Sequence, residues 1–305
     1  MSVSFAILKR TRDALADGAA WIVVGVPALE PAFVLAGRAL RRLPWIGTFF
    51  RRGSETLSGA LSAAGPVFRP LTVGGVRLIY DVSEFTVAGQ YFAARPWEPR
   101  TTEWIAAHLG PGATFVDVGA HHGYYALLAA ALVGPGGRVH AIEPSPAALA
   151  SLRRHLSVNA CEPRVAVHAL ALSDEERHGV PFYLFALEAN TGVSSLIPTW
   201  SSPAHPDHVV AVTTMTFDGW AAASRVGRID VVKIDVEGAE ERVIEGMRGT
   251  LAGAPPSWIV CETRWSGPLR ERLDVFGYEA SLLERIDGDF CNVLFTHRGA
   301  LGAGR

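Results

Sequence analysis

Lysine and cysteine are scarce in this sequence of 305 residues. Lys9 and Lys233 are the only lysines, so a lysine inside a motif is notable. The three cysteines, Cys161, Cys261 and Cys291, are odd in number and widely spaced, with no second Cys or His at metal-ligand spacing. This pattern argues against a disulfide framework, predicts no metal site and favours a reduced, cytoplasmic protein.

Charged residues are also few. They make up 19% of the chain, the formal net charge is −2, and apolar residues reach 49%. This composition excludes a disordered chain and argues against a partner that presents a phosphate backbone, so no nucleic acid partner is expected. The length suffices to bury a core in one large domain or two small ones.

A long uninterrupted apolar run is missing as well. The apolar stretch 19–40 is broken by Pro27 and Pro31, whereas a membrane-spanning helix needs about 20 consecutive apolar residues. The first 60 residues are net basic and place three aromatic residues between two arginine pairs (Trp45, Phe49, Phe50). Two interpretations stay open: peripheral contact with the inner membrane face, or packing on the core or on a second copy in a homodimer.

The most informative pattern is a glycine turn between a strand and a helix. An apolar run over 114–118 leads into Gly119-Ala-His-His-Gly123, an apolar helix is predicted over 124–133, and a second strand over 138–142 ends at Glu143. In open α/β sheets ligands bind at the carboxyl ends of the strands, and an acid about 20 residues beyond the glycines accepts hydrogen bonds from ribose. The pattern predicts a nucleotide-cofactor site.

The residues of the turn favour one cofactor over another. A dinucleotide site needs G-x-G-x-x-G, because the pyrophosphate rests on bare backbone, and this turn has bulky residues instead. Asp117 would repel a pyrophosphate, but it suits the cationic S-adenosylmethionine. A nicotinamide-dependent oxidoreductase and a silent binding module that keeps the cofactor fold stay open as alternatives.

Motifs along most of the chain resemble those of the FkbM-type methyltransferases. The resemblance covers roughly residues 71–298, and its motifs are Trp97-Glu98-Pro99, Val116-Asp117-Val118-Gly119-Ala120, Gly123-Tyr124-Tyr125, Glu143-Pro144, Ala171-Leu172-Ser173-Asp174, Asn190 with Gly192, Ser194-Ser195, Phe217-Asp218 and Lys233-Ile234-Asp235-Val236-Glu237-Gly238-Ala239-Glu240. It implies a Rossmann-like, seven-stranded class I methyltransferase sheet in an α/β fold, with helices on both faces. It also implies methyl transfer to a hydroxyl of a sugar, glycolipid or secondary metabolite.

The predicted elements divide the chain into three parts. Residues 1–70 form an N-terminal, mainly helical extension, and 71–100 form a β-hairpin around Gly74-Gly75 with a lead-in. Residues 101–305 alternate strands and helices, with a strand predicted over 164–170, and this alternation implies parallel strands with right-handed crossovers. A β-rich insertion at about 180–214 interrupts that core, and we expect it over the active face.

The cofactor is expected to contact residues at three strand ends. By resemblance, Asp117 and Gly119 line its methionine end, and Ser173 and Asp174 edge the adenine. His121 departs from the family pattern and is assigned to cofactor contact, whereas its neighbour His122 is expected to pack. The full predicted set is Asp117, Gly119, Ala120, His121, Gly123, Glu143, Pro144, Ser173 and Asp174.

Catalysis is assigned to the motif over 231–240. Asp235 follows a core strand, where a general base for a hydroxyl must stand, and Lys233 alternates in phase with it along the strand. Glu237 is a third candidate, and the predicted helix over 238–251 follows. Substrate contact is expected at three further residues (Asn190, Ser194, Glu262). A metal-assisted methyltransferase is the remaining rival, although no second acidic pair lies at ligand spacing.

Overall fold

The computed structural model describes residues 29–32, 34–35, 60–61, 65–93, 97–184, 194–198 and 208–301. Most of the predicted N-terminal extension lies outside these residues, as do Trp45, Phe49, Phe50 and Asn190. Among the described residues, no helix is long and apolar enough to cross a membrane.

The strands and helices are β1 (Phe68–Val73), β2 (Val76–Asp81), α1 (Phe85–Ala93), α2 (Pro99–His108), β3 (Thr114–Val118), α3 (Tyr124–Val133), β4 (Arg138–Ile142), α4 (Pro146–Val158), β5 (Val165–His168), β6 (Ala171–Ser173), β7 (Arg177–Leu184), β8 (His208–Thr216), α5 (Phe217–Ala223), β9 (Val231–Ile234), α6 (Glu240–Glu245), α7 (Arg248–Gly253), β10 (Trp258–Arg264), α8 (Leu269–Asp274), β11 (Tyr278–Asp287), β12 (Phe290–His297) and α9 (Arg298–Leu301).

The chain divides into two compact units, of which the first comprises residues 1–72, 77–97 and 186–191. Strands β1 and β2 pair as the predicted hairpin in a two-stranded sheet. In the same unit the buried carboxylate of Glu30 accepts hydrogen bonds from the Arg69 guanidinium at 2.8 Å and the Tyr91 hydroxyl at 2.8 Å. Glu30, an acid within an apolar stretch of the sequence, is therefore the buried member of an ion pair.

The second unit is built on a seven-stranded sheet in the order β11-β12-β10-β9-β3-β4-β5. Strands β10, β9, β3, β4 and β5 run parallel, and β12 and β11 close the sheet as an antiparallel hairpin. One face packs against Phe217 and Trp220 of α5 and Val243 of α6. On the other face Lys233 lies under the Tyr125 ring of α3. The predicted fold class is confirmed.

Strand order reverses beside β3. From β3 the chain moves to β4 and β5 on one side, and it later returns to β9 and β10 on the other. In open α/β sheets, ligands bind outside the carboxyl ends of the strands at such a switch point. The register pairs Asp117 of β3 with Lys233 of β9, so the two predicted motifs lie side by side at this point.

Two local predictions need correction. The helix predicted over 238–251 is two short helices, α6 and α7, which are separated at Gly246-Met247. Gly246 packs so closely that a Cβ atom there would lie 2.1 Å from the Ser173 carbonyl oxygen. The strand predicted over 164–170 is shorter, since β5 ends at His168 and β6 joins a different sheet.

A small three-stranded sheet, β6-β8-β7, carries the described part of the β-rich segment. Strands β7 and β8 are antiparallel, and β6 pairs with β8 in parallel. Ser195 bridges to Tyr183 of β7, which fixes the described residues 194–198 against this sheet.

Candidate active site

The glycine turn after β3 lies directly against the backbone that follows β9. Gly119 has φ of 84°, and a Cβ atom there would lie 1.8 Å from the Asp235 carbonyl oxygen. The amide of Gly119 donates to the Ile142 carbonyl at 2.9 Å, and the amide of buried Ala120 donates to the same oxygen at 3.0 Å. Only glycine fits this close approach at positive φ, so the turn brings the ends of β3, β4 and β9 together.

Gly123 performs a second packing task at the start of α3. Its φ is 90°, and an added Cβ atom would lie 2.4 Å from the Leu152 side chain of α4. Gly123 therefore lets α3 begin close to α4, and this packing role holds whatever ligand the turn binds.

Asp117 is the buried acid of the turn. Its Oδ2 atom has no hydrogen-bond partner within the described residues. Burial raises the pKa of Asp117 to about 7, although the nearby Lys233 ammonium opposes that shift. Because an orphaned buried carboxylate oxygen is costly, Asp117 fits a site that a cationic ligand would complete.

Glu143 ties the end of β4 to the glycine turn. Its Oε2 atom accepts from the His121 amide at 2.9 Å, and its Oε1 atom accepts from the Ser145 amide at 2.7 Å. Burial raises the pKa of Glu143 to about 7, although both amides favour the charged form. Pro144 follows half-buried. The carboxylate is thus fixed at the strand end predicted for ribose contact.

His121 and His122 differ in their surroundings. His122 is buried, and burial lowers the pKa of its imidazole well below the ordinary value. His121 is half-buried with φ of 48°, and its Nδ1 atom lies 2.8 Å from His122 Nδ1. The His122 carbonyl also contacts His155 Nδ1 at 2.8 Å. The surroundings of His122 fit packing.

The two residues predicted to border the adenine, Ser173 and Asp174, lie at the end of β6. Ser173 is buried, and its hydroxyl donates to Asp174 Oδ1 at 2.9 Å, whereas Asp174 is exposed. By contrast, Asp218 is structural, since its carboxylate accepts from the amides of Gly249 and Thr250 at the start of α7.

Lys233 and Asp235 form the charged centre of the site. The Lys233 ammonium is buried and lies 2.7 Å from Asp235 Oδ2, whereas Asp235 keeps 23% of its side chain exposed. Burial by itself lowers the pKa of Lys233, but the carboxylates of Asp235, Glu98 and Asp117 outweigh burial and raise it. Asp235 Oδ1 makes no hydrogen bond to any described residue, so one oxygen faces the site unpaired.

The loop after Asp235 leads to the start of α6. Helix α6 begins at Glu240, so Glu237 lies before the helix, with φ of 54°. Glu240 Oε1 accepts from the Gly238 amide at 2.9 Å, at the start of α6. The Glu237 carbonyl accepts from the buried Ser195 hydroxyl at 2.6 Å. Ser195 thus fastens the 194–198 segment to the loop after β9. Ser194, which was predicted to contact the substrate, is half-buried.

Glu98 is a site residue that the sequence analysis missed. It is buried just before α2, where it accepts from the Tyr125 hydroxyl at 2.6 Å and from Asn292 Nδ2 at 2.9 Å. One oxygen each from Glu98, Asp235 and Glu262 lie within 4.8 Å of one another. The motif Trp97-Glu98-Pro99 was the only signal for Glu98, and it indicated the family without a role for the residue.

Comparison with known proteins agrees with this arrangement. Residues 117–284 match the family model described as the methyltransferase FkbM domain. This match spans more than half of the chain, which therefore belongs to the FkbM methyltransferase family. Its cofactor is S-adenosylmethionine. No curated protein matches the chain.

The chain is also similar at low identity to solved structures of methyltransferases. The METTL16 methyltransferase domain is 14% identical, with 81% of this chain and 80% of that chain covered and a TM-score of 0.44. Precorrin-6y C5,15-methyltransferase from Geobacter metallireducens GS-15 is 14% identical, with 67% and 90% covered and a TM-score of 0.39. Aeropyrum pernix fibrillarin with natively bound S-adenosylmethionine is 12% identical, with 61% and 66% covered and a TM-score of 0.37.

Proposed function

We propose that the protein is an O-methyltransferase that acts on a hydroxyl of a sugar, a glycolipid or a related secondary metabolite. The observation that carries this proposal is the Asp235 carboxylate. One of its oxygens is held by Lys233, and the other makes no hydrogen bond among the described residues. A fixed carboxylate with a free oxygen is suited to accept a hydroxyl proton.

The cofactor-binding part of the proposal rests on the glycine turn and the two carboxylates beside it. Asp117, with its orphaned oxygen, would face the cationic methionine end, and Glu143 would accept hydrogen bonds from the ribose hydroxyls. Ser173 and Asp174 would border the adenine. When bound, S-adenosylmethionine supplies an electrophilic methyl group on its sulfonium.

The proposed role of Asp235 is to remove a proton at the moment of transfer. A hydroxyl is a weak nucleophile while it keeps its proton, since its pKa is close to that of water, roughly 15.7. Asp235 Oδ1 accepts that proton as the acceptor oxygen bonds to the methyl carbon and the methyl–sulfur bond breaks. Lys233 positions the carboxylate through Oδ2. Orientation and the exclusion of water supply most of the remaining rate.

A hydroxyl-rich acceptor is favoured by the side chains around Asp235. Glu237 and Glu262 are half-buried carboxylates on the loop after β9 and on β10, and carboxylates accept hydrogen bonds from hydroxyl groups. We therefore propose that both orient neighbouring hydroxyls of the acceptor. The metabolite class follows the resemblance of the motifs to enzymes that methylate sugars and polyketides.

The test is methyl transfer by Asp235→Asn with radiolabelled S-adenosylmethionine and glycan or glycolipid extracts as acceptors. The amide keeps the size of the carboxylate but cannot take the proton, so we expect a loss of at least about 100-fold, the low end of general-base contributions. Affinity for S-adenosylhomocysteine should stay within about twofold, because Asp235 is assigned to the acceptor side.

Asp287→Asn is the matched control, since Asp287 is an exposed acid at the end of β11. It should transfer methyl groups at the wild-type rate. If Asp235→Asn also transfers at the wild-type rate, then Asp235 is not the general base. If the radiolabel enters only protein or RNA, and no glycan, glycolipid or small metabolite, the proposed acceptor class is wrong.

A further inference from the structure

Three carboxylates from distant parts of the sequence meet beside the carboxyl ends of β9 and β10. Glu98 precedes α2, Asp235 follows β9, and Glu262 lies on β10. One oxygen from each lies within 4.8 Å of the other two. We propose that Glu98, Asp235 and Glu262 bind one divalent cation that prefers oxygen ligands, of the kind represented by Mg²⁺, Mn²⁺ and Ca²⁺. This cation site goes beyond the methyl transfer proposed above and does not depend on it. When a cation is bound, Asp235 serves as its ligand, and the cation rather than the free carboxylate activates the acceptor hydroxyl.

The spacing of the oxygens fits a single cation. Mg²⁺ binds oxygen at about 2.0–2.1 Å and Ca²⁺ at about 2.3–2.6 Å, so two ligands on opposite sides of one ion lie roughly 4–5 Å apart. The separation within the cluster falls in that range. Three protein ligands leave the remaining coordination positions for water or for an acceptor hydroxyl.

The hydrogen bonds to the three carboxylates leave at least one oxygen of each without a donor among the described residues. Both donors to Glu98, the Tyr125 hydroxyl and Asn292 Nδ2, use the Oε2 atom. Lys233 uses Oδ2 of Asp235. Among the described residues, Glu98 Oε1, Asp235 Oδ1 and the carboxylate of Glu262 accept no hydrogen bond. Each acid is therefore held through one oxygen at most and keeps another for a ligand.

An independent observation at Asn292 supports a ligand here. Asn292 is fully buried, and its Oδ1 atom has no partner within the described part of the chain. The same carboxamide donates to Glu98 at 2.9 Å, and Asn292 lies opposite Glu262 in the β10–β12 register. The Asn292 side chain thus contacts Glu98, and Asn292 is the register partner of Glu262. A buried carbonyl oxygen without a donor costs about 1–3 kcal/mol, and amide oxygens are ligands of hard cations.

The charge balance of the cluster also favours an added cation. Lys233 is the one cation of this cluster among the described residues, and it faces Asp235, Glu98 and the adjacent Asp117 as well as Glu262. Buried carboxylates are retained when they are paired or coordinate a metal. A divalent cation would balance the acids that Lys233 leaves unpaired. Such an ion would also lower the pKa of a bound hydroxyl.

The test is binding of Mn²⁺ to the full-length protein after treatment with a chelator and buffer exchange. The six-line electron paramagnetic resonance signal of free Mn²⁺ measures the bound fraction, with and without S-adenosylhomocysteine. We expect one Mn²⁺ per chain, displaced by excess Mg²⁺ or Ca²⁺. Glu262→Gln and Glu98→Gln should each weaken binding at least tenfold.

Glu241→Gln is the matched control, because Glu241 is an exposed acid that pairs with Arg272 at 2.9 Å on the surface. It should bind Mn²⁺ like the wild-type protein. Glu262→Gln keeps the test decisive if Glu98→Gln does not fold. The Glu262 carboxylate accepts no hydrogen bond among the described residues, so its replacement breaks none. S-adenosylhomocysteine affinity reports whether each variant is folded.

Two outcomes would overturn the cation site. One is wild-type protein that leaves the free Mn²⁺ signal unchanged at millimolar metal, with and without S-adenosylhomocysteine. The other is Mn²⁺ binding that is equally tight in Glu262→Gln and Glu241→Gln. No acceptor is present in this experiment, so failure of the methyl transfer proposal would leave its result unaffected.

Discussion

The buried lysine of the site gives a quantitative prediction about stability. Lys233→Met replaces the ammonium by an apolar group of similar length under the Tyr125 ring. It leaves Asp235, which lies 2.7 Å from the ammonium, and the buried Asp117 and Glu98 without their cation. Removing one partner of a buried ion pair costs about 3–5 kcal/mol, because the remaining charge stays desolvated. We expect the free energy of unfolding to fall by that amount.

Arg228→Met is the matched control for Lys233→Met. Arg228 pairs with Asp230 at 3.0 Å just before the same strand, but 80% of its side chain is exposed. A surface pair of this kind contributes about 0–1 kcal/mol. Urea denaturation at neutral pH, monitored by circular dichroism, measures how far the free energy of unfolding of each variant differs from that of the wild-type protein.

The pH dependence adds a check of the cause. Burial raises the pKa of Asp117 to about 7 even though the Lys233 ammonium lowers it. Without the lysine the pKa of Asp117 rises further, so Asp117 is protonated near pH 6 and carries no unpaired charge there. The loss of unfolding free energy in Lys233→Met should therefore be smaller near pH 6 than near pH 8. Two results would refute this account. One is a loss of unfolding free energy in Lys233→Met that only equals the loss in Arg228→Met. The other is a loss in Lys233→Met that is greater near pH 6 than near pH 8.

Two further predictions concern the cofactor side. Because the pKa of Glu143 is about 7 and its ionised form accepts the stronger hydrogen bonds, S-adenosylhomocysteine should bind about tenfold more weakly near pH 6 than near pH 8. Glu143→Gln should remove most of this difference in calorimetry, and an unchanged pH profile would contradict the assignment. Gly119→Ala should destabilise the protein by more than Gly112→Ala in thermal unfolding, since both glycines have φ of 84° but only Gly119 lies against backbone. Equal losses would mean that the close approach is unimportant.

The part of the fold around the glycine turn was predictable because its signals are local. The apolar run 114–118 and the apolar helix 124–133 each match the structure at both ends. The turn between them follows from Gly119 and Gly123, whose neighbours leave no room for a side chain. The position of Glu143 at a strand end could also be predicted, from its spacing to that turn alone.

The cluster of Glu98, Asp235 and Glu262 could not be predicted in this way, because only the tertiary fold brings the three acids together. Glu98 reaches Asp235 from before α2, and Asn292 meets Glu262 only through the β10–β12 register. The expectation of no metal site came from spacing along the sequence, where no second acidic pair stood near Asp235. The break between α6 and α7 was missed for a related reason, since Gly246 packs against Ser173 of a different sheet.

The central claim is a cofactor site at the carboxyl ends of β3 and β4, and titration calorimetry with S-adenosylhomocysteine tests it most directly. The account predicts one molecule bound per chain. Glu143→Ala should weaken binding by about 1–3 kcal/mol, through the loss of charge-assisted hydrogen bonds to the ribose, and Asp235→Asn should leave the affinity nearly unchanged. Binding by Glu143→Ala that is as tight as that of the wild-type protein, or no binding to the folded wild-type protein, would contradict the account.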